Sequence, residues 1–131
     1  MADTMQFDLV SPERRLASHP ATSVQIPGVE GDMTAMPNHA PVITTLRPGI
    51  VSVDGPEGAA HYAVTGGFVE ITPEGTTVLA ERAYPRHADH RESIAAHLEE
   101  ARMSAADAAS DHKDGAEKFV ADMVALLDAM E

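Results

Sequence analysis

The sequence contains no cysteine and no tryptophan, and only 4% of its 131 residues are aromatic. Without cysteine, disulfide bonds, thiol nucleophiles and cysteine-ligated zinc sites are excluded. The apolar residues never form the run of about eighteen that a membrane-spanning helix needs. The first residues include Asp3 and lack a basic segment followed by a long apolar one. We therefore expect neither a signal peptide nor direct membrane insertion.

Positive charge is also scarce. The sequence has 9 Lys and Arg against 21 Asp and Glu, and its formal net charge is −12. Binding to nucleic acid or to an anionic lipid surface needs clustered cations. We therefore expect no nucleic-acid partner, and we expect protein partners with basic or neutral polar surfaces.

Motifs that carry catalytic chemistry are missing as well. The sequence has no Gly-x-Ser-x-Gly elbow, no Walker A loop and no His-Glu-x-x-His pair. Glu99 and Glu100 are consecutive, so on a helix their side chains diverge and cannot act as a pair. The sequence therefore predicts a protein that is not an enzyme, with no cofactor.

Proline and glycine are concentrated before residue 86, where they separate short segments that alternate apolar and polar residues. After Pro85 the only residue of either type is Gly115. The alternating segments are 5–10, 23–26, 42–46, 49–53, 61–64, 68–71 and 76–81. Many short strands with turns between them are typical of a sandwich or flattened barrel. We predict an antiparallel β-sandwich over residues 1–86.

The remainder of the chain has a helical period. Apolar residues recur every three or four positions in two stripes, at Ile94, Leu98, Ala101 and Ala105, and then at Phe119, Met123, Leu126, Leu127 and Met130. A polar break separates the stripes, which predicts an antiparallel two-helix hairpin over residues 87–131. Alanine dominates the inner face of the first helix, so we expect a hairpin that needs the sandwich or a partner to stay folded.

Six segments, in order and in register, resemble the epsilon subunit family of bacterial F-type ATP synthases, equivalent to the mitochondrial delta subunit: Phe7–Arg14, Ile26–Asp32, Pro37–Pro41, Leu46–Gly49, Gly66–Glu70 and Thr77–Glu81. The resemblance implies about ten strands followed by two helices. It also implies a non-catalytic rotor subunit of the central stalk, which couples rotation of the c-subunit ring to the gamma shaft on the cytoplasmic face of the bacterial inner membrane. The alternative is a free-standing β-sandwich adaptor unrelated to ATP synthase.

The resemblance assigns two contact sites. The loop Glu30-Gly31-Asp32 would face the c ring, with Asp32 ahead of Glu30, because carboxylates can form charge-assisted pairs with basic side chains. Turn chemistry alone would also place acids in such a loop, as a solvated turn. His39 and Pro41 would contact the gamma subunit, although a surface histidine in a proline-stiffened loop is the other interpretation.

Two further features have structural interpretations. Gly66 and Gly67 precede a strand rather than a helix, so we expect them to allow a tight turn rather than to bind an anion. His87, His90 and His97 fall on neighbouring turns, yet a metal site needs three or four converging ligands. We expect these histidines to lie on a solvated helix face without a metal.

The hairpin could have a regulatory role, because some family members bind ATP on it or inhibit ATP hydrolysis through a basic second helix that reaches the alpha/beta catalytic head. Here Arg91 stands one position too early after Asp89 to match the ATP-binding motif. Residues 112–131 hold two lysines, Lys113 and Lys118, against five acids. We therefore predict no nucleotide binding, and weak or absent inhibition, because acidic surfaces repel each other.

Overall fold

The computed structural model describes residues 4–87, 90–109 and 111–130. In these residues ten strands precede two helices, which confirms the predicted fold class. The strands are β1 (Met5–Val10), β2 (Arg15–Ala21), β3 (Ser23–Gly28), β4 (Gly31–Ala35), β5 (Val42–Leu46), β6 (Gly49–Gly55), β7 (Gly58–Val64), β8 (Gly67–Ile71), β9 (Gly75–Ala80) and β10 (Ala83–Pro85). The helices are α1 (Arg91–Asp107) and α2 (Lys113–Asp128).

The strands form one hydrogen-bonded sheet that folds over on itself. Their order is β10-β7-β6-β3-β5-β8-β9-β1-β2, with β4 paired to β3. Neighbouring strands are antiparallel except β1 and β9, which are parallel. A single pair, Gly28 with Leu46, joins β3 to β5, so the sheet can bend there into two layers.

Three strands, β2, β4 and β10, were absent from the alternating segments. β2 lies at the end of the strand order and contains Pro20, whose missing N–H is tolerated on an edge strand. β4 has only Ala35 buried, and β10 has three residues, none of them buried. Without a buried face, these strands carry little hydrophobic alternation for the sequence to show.

The inner face of the folded sheet encloses the first core. Phe7 and Leu9 of β1, Ile26 of β3 and Ile71 of β8 are almost completely buried, with valines of neighbouring strands between them. Each residue belongs to the inward phase of its strand, because side chains alternate between the two faces. The alternation in the sequence therefore identified this core correctly.

The helical hairpin rests on the outside of the sandwich. Ile94 and Leu98 of α1 pack with Met123 and Leu126 of α2 around Ala63 of β7. Ile50 and Tyr84 lie at the edge of the same cluster. The predicted stripes therefore face each other and the sheet. Neither helix, within the described residues, is long and apolar enough to cross a membrane.

Two arginines hold the carboxyl end of α2. The Arg86 Nε donates to the carbonyl of Ala129 at 2.8 Å. The Arg91 Nη1 donates to the carbonyls of Leu127 at 3.2 Å and Met130 at 2.8 Å. The last carbonyls of a helix have no partner inside it, and cations near them also favour the helix dipole. We call this arrangement the arginine clasp.

Candidate partner-binding site

An exposed apolar face covers the outer side of β5, β8 and β9. Ile43 is 71% exposed, Phe68 55% and Leu79 49%. Ile43 and Thr45 are two positions apart in β5 and therefore point to the same side of the sheet. Thr45 pairs with Phe68, and Phe68 pairs with Leu79, so the side chains of Ile43, Phe68 and Leu79 share one face. Single exposed apolar residues are ordinary, but a contiguous group of large ones marks an interaction site. We call Ile43, Phe68 and Leu79 the apolar face.

A shallow groove continues this face towards β1. Phe68 and Leu79 line it together with Val10 and Pro12. Val10 is the parallel partner of Leu79 in the β1–β9 pair, which carries the face across a further strand. Glu81 lies at the rim of the groove. The groove is therefore predominantly apolar with an acidic margin.

Gly66 and Gly67 form the turn that introduces β8. Their φ angles are +134° and +127°, a region that favours glycine. A Cβ on Gly67 would lie 2.1 Å from the carbonyl oxygen of Leu79. The turn therefore brings β8 against β9, and the prediction of a structural role for these glycines is confirmed. It also positions Phe68, the next residue.

The Glu30-Gly31-Asp32 segment lies at the tip of the β3–β4 hairpin. Gly28 pairs with Gly31, which leaves Val29 and Glu30 in the two-residue turn. Gly31 has φ +141°. The Asp32 carboxylate accepts a hydrogen bond from the Arg47 guanidinium, which also donates to the carbonyl of Gly28. The hairpin tip is therefore fastened to the turn before β6.

The two acids of this tip differ in their partners. Asp32 remains 77% exposed but is ion-paired with Arg47. Glu30 is exposed and has no ion pair within the part of the chain that the structure describes. Glu30 therefore presents a carboxylate that is not ion-paired within the described residues, whereas the resemblance put Asp32 ahead of Glu30 as the ring contact.

His39 and Pro41 lie in the loop between β4 and β5. The His39 Nδ1 is 2.6 Å from the carbonyl oxygen of Ala40. The loop is fixed by Asn38, which has φ +69° and whose N–H donates to the carbonyl of Pro73 at 3.0 Å. Pro41 is exposed and stands two residues before Ile43. This loop therefore borders the apolar face.

The two predicted sites lie at opposite ends of β4. Gly31 begins this five-residue strand and Ala35 ends it, so the strand spans about 13 Å between the hairpin tip and the start of the loop that holds His39 and Pro41. Glu30, Gly31 and Asp32 thus form one site at the hairpin tip. His39 and Pro41 belong to a second site beside the apolar face.

The histidines predicted to share a solvated helix face do not all do so. His87 is exposed, but His97 is 7% exposed, so the prediction of a solvated position is wrong for His97. His97 follows Ile94 by three positions, which puts it on the buried side of α1. Among the described residues, no group of three or more metal-binding side chains is close enough to hold an ion. Asp89, the acid of the degenerate ATP-binding motif, lies outside the described residues.

The sequence did not identify the apolar face itself. Ile43 and Leu79 stand in the outward phase of strands whose inward phase is also apolar. The only sequence signal for the apolar face is a strand that carries apolar residues at both its inward-facing and its outward-facing positions. That signal also fits a strand buried on both sides, so only the tertiary structure distinguishes the two cases.

A family model described as "ATP synthase, Delta/Epsilon chain, beta-sandwich domain" matches residues 4–86. Among curated proteins, the "ATP synthase epsilon chain" of Ruegeria sp. (strain TM1040) is 59% identical over 131 residues, covering 96% of each chain. The protein of the same name from Rhodobacter capsulatus is 58% identical over 130 residues, again covering 96% of each chain. These matches extend through both the sandwich and the hairpin.

Two solved structures of mitochondrial assemblies contain chains with a similar fold. A chain of the Euglena gracilis mitochondrial ATP synthase, in a structure titled OSCP/F1/c-ring, has a TM-score of 0.71 and 22% identity, covering 96% of this chain and 80% of that chain. A chain of the Tetrahymena thermophila central stalk/c-ring structure has a TM-score of 0.53 and 14% identity, with 70% of each chain covered. These likenesses agree with the fold. From the family model and the near-full-length relatives, we conclude that the chain belongs to the ATP synthase delta/epsilon family, as an epsilon chain.

Proposed function

We propose that the chain is a non-catalytic rotor subunit that sits in the central stalk of a proton-translocating ATP synthase and couples the c ring to the gamma shaft. The observation that carries this proposal is the identity of 59% to a named epsilon chain across both structural parts. Family membership excludes the alternative of an adaptor unrelated to ATP synthase. The bacterial relatives support a peripheral location on the cytoplasmic face of the inner membrane.

The apolar face is the proposed docking surface for gamma. It offers three large exposed side chains on a rigid sheet, and such anchors usually carry most of the binding energy of an interface. His39 and Pro41 border this face, in the loop fixed by Asn38. We propose that they extend the gamma contact from the apolar face to the loop that leads into β5.

The hairpin tip is the proposed contact with the c ring. Glu30 presents a carboxylate without an ion pair among the described residues, and Arg47 fastens Asp32 beside it. A fixed acidic tip favours a basic or polar loop on the partner, because complementary charges accelerate and orient association. We therefore propose that Glu30 pairs directly with the ring, with Gly31 and Asp32 shaping the tip.

Binding measurements with the full chain test both contacts. Phe68→Ala should weaken binding to purified gamma about 30-fold, the loss expected of an anchor residue. The matched control is Met103→Ala, since Met103 is 71% exposed but lies on α1, away from the apolar face. Equal affinities for the two variants would remove the apolar face from the gamma interface, and failure of the unmodified chain to bind gamma would overturn the rotor function.

The proposed contact with the c ring is tested by one variant at the hairpin tip and a control variant elsewhere. Glu30→Gln should weaken binding to c rings in detergent a few-fold and reduce its salt dependence. Glu57→Gln should leave both unchanged, because Glu57 lies in the β6–β7 turn at the opposite end of the sheet. A Glu30→Gln variant that binds like the Glu57→Gln variant would contradict the assignment.

The hairpin is proposed to inhibit ATP hydrolysis weakly or not at all. Lys118, one of the two lysines of residues 112–131, pairs with Asp122 at 2.8 Å. The arginine clasp also holds the end of α2 down. Deletion of residues 86–131 should therefore change ATP hydrolysis by the assembled complex less than about twofold. A large rise would show that the hairpin inhibits.

A further inference from the structure

His97 occupies the point where α1, α2 and the sandwich meet. Its ring lies 5.8 Å from the Phe119 ring of α2, centroid to centroid, with the planes tilted by 58°. Glu81 and Arg82, between β9 and β10, are the charged groups of the sandwich that act on it. Arg82 also pairs with Glu100 of α1 at 3.3 Å. Any movement of the hairpin away from the sandwich therefore changes the surroundings of His97.

The surroundings of His97 favour its neutral imidazole over the protonated form. His97 is only 7% exposed, and its Nδ1 has no hydrogen-bond partner among the described residues. Protonation would place an N–H donor at that buried atom without an acceptor. A buried charge or an unpaired buried donor destabilises the state that contains it.

The charges around His97 have opposing effects. Burial lowers the pKa of His97 below its ordinary value of 6.5, and the positive charge of Arg82 lowers it further. The carboxylates of Glu81 and Glu100 act in the opposite direction, but the net shift is downward. From α2 the group against the ring is Phe119, which carries no charge. The balance of the three packed elements therefore favours the neutral imidazole.

We propose that His97 is an acid-sensitive latch: α2 stays packed on α1 and the sandwich while His97 is neutral, and protonation of His97 releases the hairpin. An opened hairpin exposes the ring to water and restores its ordinary affinity for a proton. The open state thus binds more protons than the closed one, and falling pH favours it. The contribution of His97 to closure is complete above pH 6.5 and declines as the pH falls towards the lowered value. This inference goes beyond the rotor function and does not depend on it.

The absence of cysteine makes the latch directly measurable. Two spectroscopic labels can be placed uniquely, at Glu57→Cys on the exposed β6–β7 turn and at Glu117→Cys on the exposed side of α2. Their separation reports closure in the full chain. The ratio of closed to open molecules should stay constant above pH 6.5 and, below it, should fall by up to about tenfold per pH unit, the limit for one proton.

Two variants identify the responsible residue. His97→Met retains an apolar side chain of similar length and should make the separation independent of pH. His112→Gln removes a histidine that is 79% exposed, and it should leave the pH response intact. The proposal is overturned if the unmodified chain shows no response, if His97→Met responds like the unmodified chain, or if His112→Gln abolishes the response.

If the hairpin of the His97→Met variant is open at every pH, the variant cannot test the latch. An NMR titration of the imidazole groups in the unmodified chain then provides the test. His97 should then titrate below 6.5, together with loss of slow amide exchange in α1 and α2. A His97 pKa at or above 6.5, or amide protection that is unchanged across its titration, overturns the latch.

Discussion

The sandwich and the hairpin hold their apolar residues in different ways. Among the described residues, the sandwich core has 15 buried members from both layers of the sheet, and backbone ladders cross-link its strands. The hairpin cluster has six buried members in the part of the chain that the structure describes, and one of them, Ala63, belongs to the sheet. Ala101 and Ala105 supply little area on the inner side of α1. The comparison teaches that the sheet encloses its own core, whereas the hairpin depends on the outer surface of the sheet.

The largest difference in the free energy of unfolding should appear between alanine variants of two phenylalanines in the sandwich. Phe7→Ala empties a site with 0% exposure and should lower the free energy of unfolding by about 3–5 kcal/mol. Phe68→Ala removes the same atoms from an exposed position and should change it by less than about 0.5 kcal/mol. Urea unfolding followed by circular dichroism measures both. Similar losses for the two variants would mean that the apolar face is part of the core.

Two glycine substitutions should change stability in opposite directions, one in the sandwich and one in the hairpin. Gly67→Ala places a Cβ 2.1 Å from a backbone oxygen at φ +127°, so it should destabilise the chain by about 2 kcal/mol or more. Gly115→Ala meets no atom within 4 Å in the first turn of α2. It should stabilise α2 by about 0.5–1 kcal/mol, because alanine favours helix. Thermal unfolding measures both, and a destabilising Gly115→Ala would contradict the described start of α2.

A third comparison, within the hairpin, tests the arginine clasp. Arg91→Ala removes two hydrogen bonds to the end of α2 and should cost the hairpin about 1 kcal/mol. Amide exchange should accelerate in α2 and stay unchanged in β6 and β8. Arg102→Ala is the control, because Arg102 pairs with Glu99 on the exposed side of α1, at 2.7 Å, and does not contact the end of α2 among the described contacts. Equal exchange rates in the two variants would show that the clasp does not hold the helix.

Much of the fold was predictable because its signals are local. The alternation of 5–10 coincides with β1, the predicted segment 42–46 coincides with β5, and the helical stripes coincide with the buried sides of α1 and α2. The edge strands β2 and β10 were missed since they lack a buried alternating face. His97 was misplaced although its spacing of three from Ile94 puts it on the buried side of α1, where it packs against Phe119 of α2.

The candidate site was predictable in part. The turn at Glu30 and the stiff loop around His39 follow from proline, glycine and acidic residues in sequence. Ile43 and Leu79, in contrast, lie in strands with apolar residues on both phases, so their exposure depends on which face the rest of the chain covers. The pairing of Asp32 with Arg47 likewise joins residues 15 positions apart.

The sequence by itself determined the division into a strand-rich and a helical part, the inward faces of most strands and helices, and membership in the epsilon family. These depend on periodicity, turn residues and similarity along the chain, all of which are local or directly comparable. Only the tertiary structure decided that the hairpin rests on the sandwich, that Phe68 faces outward and that His97 faces inward. Burial is a property of contacts between segments distant in sequence, and no local pattern specifies which surfaces remain uncovered.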